Sequence, residues 1–138
     1  MDRIILERFF EGKIDGHQIS HELETELDCI KSALTKKGAS APILLTGSSD
    51  KLMISGSDIC LLCESYLSGN LSVGVIAYIA DALLLAPFVE FSNGSVRDSL
   101  ESMTDPEING LFNESIATSC LVQMRGNFIQ KPEATPEN

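Results

Sequence analysis

The chain has 138 residues and 43% hydrophobic content, enough for one domain around a single core and too short for two comfortable ones. Its formal net charge of −10 argues against binding nucleic acid or an anionic membrane, both of which need Lys and Arg, and makes a basic partner the natural complement. The excess is uneven, with eight acids against six bases in residues 1–40 and twelve against four in residues 41–138.

Residues 2–11 place Ile5, Leu6, Phe9 and Phe10 on one helical face, with Arg3, Glu7 and Glu11 elsewhere around the helix. Arg3, Glu7 and Arg8 also interrupt the apolar residues around Ile4 to Phe10 before a signal-peptide core can form, so a cytoplasmic location is expected. Gly12 stops this helix and Asp15 caps the next. There Ile19, Leu23, Leu27, Ile30 and Leu34 recur at helical spacing to about Lys37. Residues 38–42 read as a linker, and Ile43–Thr46 with Lys51–Ile54 read as two short strands paired across GSSD or as an ordered loop.

The stretch from Ser55 to Ala86 reads as two largely apolar helices joined by a tight turn, and forms the expected core. Ser55 and Asp58 give a capping-box-like start, Gly69 ends the first helix, and Ser72 caps the second. The apolar run from Val73 to Val89 is short for a bilayer and interrupted by Asp81 and Pro87, which makes it a buried helix. Phe88–Phe91 is a brief extended segment before an Asn93-Gly94 turn. A short helix is expected over Val96–Met103, then a turn capped by Asp105 and opened by Pro106, then a helix from Asn113 to about Arg125 with Ile116, Leu121 and Met124 inward. Residues 131–138 are polar, contain two prolines and read as a disordered tail. The sum is a mainly α-helical bundle of five to six helices over residues 1–130, with at most a small β element. The first hairpin echoes the second at an offset of 57: Glu7, Phe9, Phe10, Gly12, Ile14, Asp15 and Ile19 fall on Glu64, Tyr66, Leu67, Gly69, Leu71, Ser72 and Ile76. A helix end, a Gly and a following cap produce the same string without duplication.

Catalytic and metal chemistry find little support. His17 and His21 stand four apart and Cys60 and Cys63 three apart, but Leu61 and Leu62 make the cysteine pair ordinary helix packing rather than a zinc knuckle, and no metal or cofactor is assigned. The four cysteines of a cytosolic chain are expected as reduced thiols. A Cys60 or Cys120 nucleophile beside His21 has no loop-borne context, and Gly47, Gly56 and Gly69 lack the spacing of a phosphate-cradling loop, so the chain does not read as an enzyme. Glu22, Glu24, Glu26 and Asp28 wrap around the exposed side of their helix. Tyr78 and Asp81 mark one polar stripe on an apolar helix, either satisfied at the core's edge or facing a partner.

The string LCESYLSGNLSVGVIAYIADALLL at residues 62–85, followed by FVEFSNGSVRDSLESMTDPEINGLF at residues 88–112, resembles small bacterial immunity proteins. These accompany contact-dependent growth inhibition and related polymorphic toxin systems. The opening FFEGKIDGHQI at residues 9–19 is similar to that of other such proteins. The resemblance implies stoichiometric neutralisation of a cognate toxin domain, often a basic nuclease, by acidic side chains. Surface acids are then the partner-binding candidates: Asp98, Glu101, Asp105 and Glu107 as the best local cluster, next Asp81 with Tyr78, then Glu22 and Glu26. The alternative is a small acidic helical adaptor that uses the apolar faces of its hairpins to hold a partner helix or to dimerise.

Overall fold

Two helical hairpins, each returning the chain to lie parallel beside the segment that launched it, organise the molecule. A computed structural model describes residues 1–34, 45–104 and 112–129. In these, α1 (Arg3–Phe10) and α2 (Gly16–Leu34) form the first hairpin, followed by β1 (Leu52–Ile54). The second hairpin, α3 (Gly56–Leu67) and α4 (Val73–Leu85), leads to β2 (Val89–Phe91), α5 (Gly94–Ser102) and α6 (Glu114–Ile129). The domain is mainly helical with one small two-stranded parallel sheet, as its sequence leads one to expect. Among the described residues no helix is long and apolar enough to cross a membrane.

The two hairpin turns share one main-chain hydrogen-bond pattern and the cap that follows it. Gly12 and Gly69 have φ of 79° and 88°, a left-handed conformation that disfavours any side chain. In the first turn Gly12 N donates to Phe9 O, Lys13 N and Ile14 N to Arg8 O, and Gln18 N to the Asp15 cap. In the second, Gly69 N donates to Tyr66 O, Asn70 N and Leu71 N to Ser65 O, and Val75 N to the Ser72 cap. Every one of these bonds repeats at the 57-residue offset. The likeness extends to the returns: Asp2 forms a parallel bridge with Thr46 around the first hairpin, and β1 pairs with β2 around the second. The turns also pack together, since a Cβ on Gly16 would come within 3.0 Å of Ser65 and Asn70 side-chain atoms.

Three expectations change. Among the described residues, the Lys51–Ile54 segment does not pair with Leu45 or Thr46 just before it. Its strand runs parallel to β2 with Leu52 opposite Val89 and Ile54 opposite Phe91, because the α3–α4 hairpin supplies the long crossover that parallel strands require. Thr46 instead bridges Asp2. Asn93-Gly94 is not a separate turn: Asn93 Oδ1 accepts from Val96 N and caps α5, which therefore starts two residues earlier than expected. The last helix does begin after an Asn113 cap but continues to Ile129. The linker, the Asp105-Pro106 turn and the tail at 131–138 lie outside the described residues.

The core forms where the apolar stripes converge. α4 buries Val75, Ile76, Ile79, Ala80, Ala82 and Leu83 against α2, α3 and α5, while α3 runs along α6 in the most extensive helix contact. Phe9, Phe112, Ile54 and Leu100 complete it.

Arg3 is the main departure from the amphipathic reading of α1. It is only 7% exposed. Its Nε lies 2.6 Å from Glu7 Oε2, and its Nη1 donates to Ser48 O at 2.7 Å and Asp50 O at 2.6 Å. The guanidinium also sits 5.1 Å from the Phe88 ring centroid. A buried cation is tolerable only when its donors are occupied, and this planar fork reaches a carboxylate, two carbonyls and an aromatic face at once. Arg3→Ala should lower unfolding free energy by about 2–3 kcal/mol in urea titration, with Arg3→Lys recovering less than half. A cost no larger than that of the exposed Arg8→Ala would show that the clamp is not structural.

Candidate functional site

Among the eight acids and aromatics expected to meet a partner, two meet each other instead. Tyr78 is 4% exposed, and its hydroxyl donates to Glu26 Oε1 at 2.7 Å. The same oxygen lies 3.0 Å from the Met1 ammonium. Burial, and then the adjacent Glu26 carboxylate, push the Tyr78 hydroxyl pKa upward, so the phenol stays a proton donor. Tyr78 and Glu26 therefore tie α4 to α2 at the edge of the core. The partner-facing alternative for Tyr78 is corrected, because an apolar helix packed on three neighbours cannot present a ring from its buried side.

Asp81 is half-buried on the same helix, and Glu22 is exposed on α2 with Glu24 and Asp28. Asp105 and Glu107 lie outside the described residues. Several acids that lacked cations nearby in sequence acquire them in space. Glu64 on α3 pairs with Arg125 on α6, and Glu90 on β2 lies 3.5 Å from Lys51 beside β1.

Asp98 and Glu101 share α5 and differ in use. Glu101 lies 3.2 Å from Arg97 one turn earlier, whereas Asp98 is exposed and has no ion pair among the described residues. Asp98 opens onto a groove of about 260 Å³ between α5 and α6, lined also by Ser99, Ser102, Ser115, Ile116, Ser119, Cys120 and Gln123. A carboxylate at the rim with hydroxyls and an amide along the walls is a receptor for a cationic, hydrogen-bond-donating side chain such as Lys or Arg. The serines were overlooked in the sequence. Their spacing, Ser99 with Ser102 on one helix and Ser115 with Ser119 on the other, puts each pair on a single face and was the available signal.

Two other recesses are less open to a basic partner. One, between α2 and the second turn, holds His17, Ser20, His21, Glu24, Asn70 and Ser72, so His21 and Cys120 line different recesses. Among the described residues no three His, Cys, Asp or Glu side chains converge as a metal site. The other is rimmed by Glu7, Glu11 and Asp58 beside Phe10, Leu52 and Met53. Its acids are engaged: Glu7 by Arg3, Glu11 by Lys13 at 3.2 Å, and Asp58 by the Ser55 amide at 2.9 Å.

Burial raises the Asp58 pKa above its ordinary 3.8, outweighing the opposing Ser55 hydrogen bonds. A raised carboxyl pKa means that the folded state holds the proton more tightly than the unfolded chain. The favourable contribution is complete below 3.8 and is lost as pH rises through the folded value. Asp58→Asn keeps an acceptor for Ser55 and removes this dependence. Its stability relative to wild type, measured by urea unfolding across acid to neutral pH, should improve as pH rises; the opposite slope would show that the anion is the stabilised form.

The chain matches no protein-family model, and comparisons with curated proteins and with solved structures likewise return no match.

Proposed function

We propose that this protein is a bacterial immunity protein that binds a cognate toxin domain, a nuclease with a basic surface, and neutralises it in the cytoplasm by stoichiometric occlusion without catalysis. The observation that carries the reading is the open Asp98 carboxylate at the hydroxyl-lined groove, in a chain of net charge −10. Glu7 and Glu11, beside another recess, already have cationic partners, so a partner's cation gains more at Asp98. The negative field speeds encounter with a basic domain, and a Lys or Arg seated in the groove slows release. The exposed Glu22, Glu24 and Asp28 on α2 add to the field.

The adaptor alternative requires an unoccupied apolar helix face. Among the described residues the exposed large apolar side chains are Ile4, Met53, Leu67, Leu85 and Val122, one on each of five different elements, while Leu6 and Phe9 of α1, Ile19 and Leu23 of α2, Ile59 and Leu62 of α3 and the apolar side of α4 pack into the core. Scattered single residues are ordinary protein surface, which weighs against a groove-and-helix mode.

Binding to the toxin domain should discriminate sharply. Asp98→Lys with Glu101→Lys is expected to weaken affinity by about 30-fold or more, equivalent to about 2 kcal/mol, with a slower association rate that becomes less salt-sensitive. Both side chains are exposed and the Arg97–Glu101 pair contributes only about 0.5 kcal/mol, so thermal stability should barely change. Unchanged affinity in the double variant, measured by surface plasmon resonance, would remove this groove from the interface.

A further inference from the structure

The joint between β2 and α5 is anchored on both sides and exposed in the middle. On one side Ser92 N donates to Ile54 O at 2.9 Å, tying the end of β2 to β1. On the other, Val96 N donates to Asn93 Oδ1 at 3.1 Å, and the Arg97 guanidinium lies 5.6 Å from the Phe91 ring centroid. Asn93 and Gly94 are both exposed between these anchors. Gly94 is helical without a positive φ, and a Cβ there would meet nothing within 4 Å. Neither backbone nor packing therefore calls for glycine at a position where alanine is the better helix former. What its bare Cα does provide is an unshielded amide nitrogen directly after an asparagine. As the first residue of α5, Gly94 also has an N–H for which the helix supplies no acceptor.

We propose that Asn93 is a site of spontaneous deamidation through a cyclic imide with Gly94, and that the α5 cap sets its rate. The Gly94 nitrogen loses its proton and attacks Asn93 Cγ; the N–Cγ bond forms, the Cγ–Nδ2 bond breaks, and ammonia leaves with the proton. Water then opens the five-membered imide. Cleavage of the N–Cγ bond leaves aspartate at position 93. Cleavage between the same nitrogen and the main-chain carbonyl carbon leaves isoaspartate, in which the chain runs through the side-chain carbon. No electrons are transferred, and either product replaces a neutral amide with a carboxylate.

The cap opposes the first step. Asn93 holds an extended backbone, with φ of −162° and ψ of 175°, while its Oδ1 accepts from Val96 N. Closing the ring onto Gly94 N turns ψ away from this value and draws Cγ off the cap, so the reaction proceeds from the opened joint. The two products then differ in what they leave behind. Aspartate is as good an N-cap as asparagine and places a negative charge at the positive end of α5. Isoaspartate has spent its cap carbonyl on the main chain and lengthened that chain by a methylene. β2 then no longer feeds α5 in register, and α5 carries Asp98.

The full chain is held at neutral pH and physiological temperature, both folded and in guanidinium chloride. Position 93 is followed by peptide mass spectrometry, with isoaspartyl methyltransferase labelling to tell the products apart. The folded chain should form both products about 2- to 30-fold more slowly than the unfolded chain, the equilibrium weight of one N-cap. Gly94→Ala, for which the fold has room, should suppress conversion severalfold in either state. Arg97→Ala, which loosens the joint, should speed the folded reaction and leave the unfolded one unchanged. Thermal stability of the separated products should fall with isoaspartate and hold with aspartate. An Asn93 still intact in the folded chain when that rate margin has long passed, equal rates in the two states, or undiminished conversion in Gly94→Ala would each overturn the proposal.

Discussion

A buried guanidinium holds the two halves of this molecule in register. Arg3 cannot leave water without partners, and those it finds come from three places: Glu7 on its own helix, the carbonyls of Ser48 and Asp50 ahead of β1, and the ring of Phe88 ahead of β2. The contacts to Ser48, Asp50 and Phe88 fix segments outside the regular elements. Once the approaches to β1 and β2 are fixed, the three-residue strands can pair, although strands so short would not hold a register unaided. β2 then passes through the Asn93 cap straight into α5, and α5 carries Asp98. The position of the candidate site thus depends on a charge near the other end of the sequence.

The two hairpins add a second constraint. Their turns use the same main-chain hydrogen bonds around a positive-φ glycine, and the start of α2 approaches the second turn so closely that a Cβ on Gly16 would press against Ser65 and Asn70. The same local chemistry accounts for each turn separately, without common descent. The parallel return after each hairpin goes further than turn chemistry, since it repeats a topological step.

What was legible in the sequence was local. Helix ends at Gly12 and Gly69, caps at Asp15, Ser72 and Asn113, and the inward face of α6 follow from residues within four positions of one another, where propensity and capping act directly. The parallel pairing of Leu52–Ile54 with Val89–Phe91 joins residues with a whole hairpin between them, and nothing in either triplet names its partner. Arg3 looked like an exposed charge because helical periodicity registers hydrophobicity and not the reach of a long side chain to distant carbonyls. Of the candidate site, Asp98 and Glu101 were found as exposed acids on a short helix. The hydroxyl-lined wall depends on how α5 and α6 pack together.

Charge distribution connects the fold to the proposed role. Glu26, Glu7, Glu64, Glu90 and Asp58 have internal partners and help build the domain, while Asp98 and the exposed Glu22, Glu24 and Asp28 of α2 keep the field that a basic domain would meet. The most direct measurement is growth rescue. The chain is co-expressed in a heterologous bacterium with any toxin domain found encoded beside its gene, and survival is scored for wild type and for Asp98→Lys with Glu101→Lys at matched protein levels. Full rescue by wild type, lost or sharply reduced in the charge-reversed variant, is the expected result. Failure of the wild-type chain to protect against the domain would contradict the immunity assignment, and equal protection by both would contradict the role of the Asp98 groove.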